Sequence, residues 1–122
     1  MKRCIALILI ALLTLSLCAC GNQTKKVERM LVQGSWTRQF DALGTNCTII
    51  YTFEENNSAL IVSQIGNSEF TNEASYSVKE DRIILAYDSG DVFDIFYEYE
   101  NGNLKLHMVG SEGDVFPLIH TP

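Results

Sequence analysis

The chain has 122 residues, with 9 Lys and Arg against 15 Asp and Glu and a formal net charge of −6. That length supports one domain with one modest core. The acidic balance, with no basic patch interleaved with aromatics, excludes a nucleic-acid binder, because phosphate backbones are held by clustered Lys and Arg.

Lys2 and Arg3 precede an uncharged run from Ile5 to Leu17 that is apolar except for Thr14 and Ser16. This is the pattern of a secretory signal peptide, and the run is shorter than the roughly 20 apolar residues that cross a bilayer. Leu17-Cys18-Ala19-Cys20 then resembles the bacterial lipobox: an aliphatic residue, a tolerant position, a small residue, then cysteine. The resemblance implies cleavage between Ala19 and Cys20 and diacylation of Cys20 through its sulfur. The membrane would then be a partner through that lipid, and the chain would sit in the bacterial cell envelope on the extracytoplasmic side. Two acyl chains anchor stably, at about 0.8 kcal/mol per buried CH₂. The competing reading is a plain secreted chain cut nearby.

Loss of residues 1–19 removes Lys2 and Arg3 and no acids, so the mature charge is −8, from 7 basic and 15 acidic residues. Cys4 and Cys18 leave with the signal, and Cys20 carries lipid. Cys47 alone remains, so no intramolecular disulfide framework is expected. It lies in an alternating apolar run, which suits a buried, inert thiol.

Residues 20–26 are expected to form the lipidated cysteine and a polar tether, since Asn22-Gln23-Thr24-Lys25-Lys26 has no apolar period. The domain is expected over 27–122. Val27 to Gln33 places Val27, Met30 and Leu31 on one helical face and stops at Gly34, which predicts one or two turns of helix. From Ser35 the period changes to two. Strands are predicted from Trp36 to Gln39 or Phe40, over Cys47–Phe53, Ser58–Ile65, Phe70–Lys79, Ile83–Tyr87, Phe93–Glu100, Leu104–Met108 and Val115–Ile119. Residues 41–46 read as a loop, and Asn101-Gly102 as a two-residue hairpin turn. Pro117 lacks an N–H, so the last strand is expected at an edge or with a bulge. About eight short strands with short turns predict an all-β, antiparallel up-and-down meander, closed into a small barrel or folded as a sandwich, with closure favoured because it removes exposed edges.

At Gly34-Ser35-Trp36, after a helical turn and before a run of strands, the chain resembles lipocalin-like families, which carry a Gly-x-Trp at the start of the first barrel strand. Tyr51-Thr52-Phe53-Glu54-Glu55-Asn56 and Tyr76-Ser77-Val78-Lys79-Glu80-Asp81-Arg82-Ile83 look like small bacterial lipocalin-like lipoprotein domains. The resemblance implies a barrel plugged at one end by the Trp, with a calyx for a small apolar or amphipathic ligand. An eight-stranded barrel is just wide enough to fill with side chains or to hold one small ligand. Tyrosines bring a polar tip into an apolar cavity, so Trp36, Tyr51 and Tyr97 are the candidate ligand-binding residues. The alternative is a filled, ligand-free structural or protein-interaction module at the cell surface.

No catalytic constellation is expected. Gly-x-Ser-x-Gly and Ser-x-x-Lys are both missing from the sequence. His107 falls on a polar strand face and His120 near an end expected to fray; two such histidines make neither a triad nor a zinc site. Asp88, Asp91 and Asp94 flank a turn without the EF-hand pattern and read as a solvated acidic hairpin end. The reading is a non-enzyme with no cofactor and no metal.

Overall fold

The computed structural model describes residues 23–122, so the expected signal peptide and Cys20 lie outside the described residues. Helix α1 covers residues 23–31. Eight strands follow: β1 (Ser35–Ala42), β2 (Thr45–Phe53), β3 (Ser58–Ile65), β4 (Ser68–Val78), β5 (Arg82–Tyr87), β6 (Val92–Glu100), β7 (Asn103–Val109) and β8 (Val115–Thr121). Each pairs antiparallel with its sequence neighbours, and β8 returns to β1, which closes the barrel.

The period-two pattern sets which side chains meet inside. Trp36 opposes Tyr51, which opposes Ile61 on the next strand. Ile83 opposes Ile95, and Leu106 opposes Leu118. All of these are buried in one hydrophobic core. Burial of this inward row holds the register, since a slip by one residue would turn every apolar side chain outward.

The hairpin turns alternate between two ends. Those at 54–57, 79–81 and 101–102 share the end that α1 covers, and those at 43–44, 66–67, 88–91 and 110–114 ring the other. Val27 and Leu31 of α1 are fully buried among the core side chains. The helix already covers residues 23–26, ahead of where the sequence suggested, so these residues are helical and not an irregular tether. Once Val27 and Leu31 anchor one face, exposed Gln23, Lys25 and Lys26 extend the helix at little cost, because such residues are good helix formers. Met30 is only half-buried.

Three further expectations are corrected. The loop over 41–46 is a two-residue turn, with Leu43 at φ 52° and Gly44 at φ 81°. Pro117 is not on an edge strand, since β8 pairs on both sides, but it lies in the part of β8 that has only β7 as a neighbour. His120 lies within β8, stacked on Trp36 with ring centroids 4.4 Å apart.

Closure is uneven. β1 meets β8 only over Ser35–Thr37 against Ile119–Thr121. β4 meets β5 only from Ala74 onward, so 68–73 run past it. The barrel is therefore zipped at the α1 end and splayed at the other.

Candidate functional site

The three candidate residues lie in the zipped half. Trp36, at the head of β1, is 2 % exposed and donates its Nε1–H to the Leu31 carbonyl at 3.2 Å. Tyr51 is its cross-strand partner, also buried, and its hydroxyl meets Met108 Sδ at 3.5 Å. Tyr97, on β6, is buried and donates its hydroxyl to the Lys79 carbonyl in the 79–81 turn. Trp36 and Tyr51 are thus neighbours, and Tyr97 faces a different turn. Tyr51, Phe53, Ile61, Ile83, Leu85 and Ile95 fill this half of the bore.

The splayed half differs. On the inward face Phe70 is 55 % exposed, Ile65 46 % and Phe93 44 %. Arg38 shares this face, as the alternation Trp36, Arg38, Phe40 and the pairing of Arg38 with Ile49 require. No other Asp, Glu, Lys or Arg shares it among the described residues, as the strand registers show. The guanidinium carbon lies 4.2 Å from the Phe116 ring centroid and 4.8 Å from that of Phe40. The contact with Phe116 spans the gap where β1 and β8 are unpaired. Gly110 makes room for the Phe116 ring: a β-carbon there would sit 2.9 Å from its edge.

Arg38 Nε is buried and is the one buried side-chain polar atom without a hydrogen-bond partner among the described residues. Burial pushes the Tyr51 phenol up, and the facing Arg38 guanidinium pulls it part of the way back. Burial, and then Tyr51 and Asp91, push the Tyr87 phenol up strongly. Arg38, Tyr51 and Tyr87 therefore form a short polar line where the splayed mouth meets the filled half of the bore. Tyr87 also lines a cleft of about 330 Å³ with Asn72, Glu73 and Asp88, where β4 runs past β5. Sequence reasoning did not single out Arg38. The signal was present, because an arginine two residues after one inward aromatic and two before the next must itself point inward.

The other candidates have ordinary surroundings. Cys47 is buried, with its thiol 3.6 Å from the Thr45 carbonyl. Asp94 pairs with Arg82 at 3.4 Å, and Asp91 accepts from the Ser89 hydroxyl. Among the described residues, no group of three His, Cys, Asp or Glu could hold a metal ion, and no helix is long and apolar enough to cross a membrane.

Fold and site together define a helix-capped, eight-stranded antiparallel barrel, plugged at one end and lined by exposed aromatics and one arginine at the other. No protein-family model, no curated protein and no solved structure matches the chain.

Proposed function

We propose that the chain is a cell-envelope lipoprotein, anchored through Cys20, whose lipocalin-like barrel binds a small apolar or amphipathic ligand at its splayed end. The observation that carries this reading is the exposed inward apolar face of Ile65, Phe70 and Phe93. Apolar surface grouped at one end of a barrel favours a binding role, and covering it is favourable by about 25 cal/mol per Å². The position of Gly34-Ser35-Trp36 supports the lipocalin-like reading, because Trp36 lies at the plugged end, under His120 and against α1. The lipobox supports the anchor.

A second reading, a ligand-free module that meets another envelope protein, is favoured by the filled half of the bore. There the polar tips of Trp36, Tyr51 and Tyr97 already have partners.

Mass spectrometry on the chain purified from its own host separates these readings. Under denaturing conditions, a chain starting at residue 20 with added diacylglycerol mass is expected. An unmodified Cys20 would refute the anchor. Under native conditions, a further non-covalent mass is expected from the ligand. A reproducibly bare native mass would move the weight to the second reading.

A further inference from the structure

We infer that the ligand carries an anionic head on an apolar chain and that Arg38 receives the head. The inference rests on the ligand-binding reading above and adds the ligand's charge.

Buried donors without partners are rare in folded proteins, and a buried charged one is the most costly kind. Arg38 Nε is such a donor, on a half-buried side chain whose guanidinium meets the Tyr51 phenol but makes no ion pair with any Asp or Glu among the described residues. The contrast with Arg82 is direct. Arg82 lies on the outer surface between Asp81 and Asp94 and is paired with both. In a chain of net charge −6, acids are plentiful, yet none shares the inward face with Arg38.

The surroundings of Arg38 suit a carboxylate or phosphate. Phe40 and Phe116 lie against the guanidinium, which leaves its forked N–H edge as the surface that can donate. Tyr51 faces the same group, and Tyr87 faces Tyr51. Both phenols keep their protons at neutral pH; to donate to an anion, Tyr51 would give up its contact with Met108 Sδ and Tyr87 its bond to Tyr51. The exposed rings of Phe70 and Phe93 lie on the same inward face and would cover an apolar chain.

The rim bears Asp41, Asp88, Asp91, Glu112 and Asp114, all exposed. These repel an approaching anion, but across solvent, where the screening length is about 8 Å at physiological ionic strength. The pair formed with Arg38 inside is screened far less. Salt should therefore leave the affinity unchanged or raise it. An anion held on surface lysines would show the opposite response.

The test uses the full-length chain in a nonionic detergent and native mass spectrometry. Probes are palmitoleic acid, its methyl ester and a lysophosphatidic acid of the same chain length. The expected result is occupancy by the acid at least about tenfold above the ester, as a charge-assisted hydrogen bond warrants. Arg38→Met should remove that difference by lowering acid occupancy and sparing the ester. Equal binding of acid and ester would overturn the inference, leaving Nε to a bound water, while the ligand-binding reading stood. Failure of all three probes to bind would sink both. If Arg38→Met does not fold, the difference between acid and ester on the unaltered chain decides, with Arg38→Lys as a charge-retaining check. Loss of acid binding between about 0.05 and 0.3 M salt would also count against Arg38. Carboxylate and phosphate heads share this chemistry, and the stronger of the two probes names the source.

Discussion

Gly34 joins the plugged end to the close of the barrel. Its φ is +80°, a region that L side chains avoid. A β-carbon there would lie 2.1 Å from the Thr121 carbonyl oxygen and 2.9 Å from Pro122 Cα. Both obstacles are backbone, so neither can swing aside. Gly34→Ala is therefore expected to cost more than the 1–3 kcal/mol or so of a strained backbone alone. It should loosen the contact between the start of β1 and the end of β8. A chemical-denaturation midpoint unchanged from the parent would show that this junction yields easily. Arg38 presents the opposite case, a residue whose surroundings leave one of its donors unsatisfied. Departures from local consistency of this kind concentrate at sites of function.

At the scale of elements, α1 matters through two side chains. Val27 and Leu31 are fully buried, and Leu31 also supplies the carbonyl that holds the Trp36 indole. Leu31→Ala is expected to destabilise the fold by about 2–5 kcal/mol, with a red-shifted Trp36 emission as water reaches the plugged end. A drop below 1 kcal/mol or so, with unchanged emission, would mean that the helix is ornamental to the core. The strands were largely legible because half-buried strands show alternation directly, and Asn101-Gly102 stood out because its residue types suit φ > 0. What stayed hidden has physical reasons. Leu43 occupies the left-handed region, which leucine rarely does, so the tight 43–44 turn looked like a loop. Residues 23–26 have no apolar face, and only the buried turn after them makes them helical. The site was the least legible part. Aromatic residues that fill a bore and those that line a mouth follow the same alternation, and only the unequal strand pairing separates Tyr51 from Phe70.

At the scale of the molecule, tyrosines make the barrel sensitive to alkali. Burial raises the phenols of Tyr51, Tyr76, Tyr87 and Tyr97 above their ordinary value of 10.0. Nearby acids add to this: Glu28 and Glu55 for Tyr76, Asp91 for Tyr87, and Asp81 and Glu80 for Tyr97. The folded state keeps these protons where the unfolded chain releases them. Their contribution to stability is thus intact below pH 10 and declines as pH rises past it. Urea midpoints should be level from about pH 7 to 9 and fall by pH 11, with the phenolate absorbance of these four tyrosines rising mainly as the barrel opens. Phenolate absorbance reaching its full value in a still-folded barrel near pH 10 would contradict this.

The helical state of residues 23–26 has a consequence for orientation. Residue 23 lies beside the 79–81 turn, sharing a cleft with Glu80 and Tyr97. Only two residues lie between it and Cys20, so the three steps of chain reach at most about 11 Å. With Cys20 held in a bilayer, the barrel would stand on its plugged base like a cup on a table, its rim turned toward the surrounding medium. On the proposed ligand-binding reading, cargo would then have to arrive through water, handed over by another carrier or shed from a distant surface, with the lipid leaflet beneath as footing and not as the source.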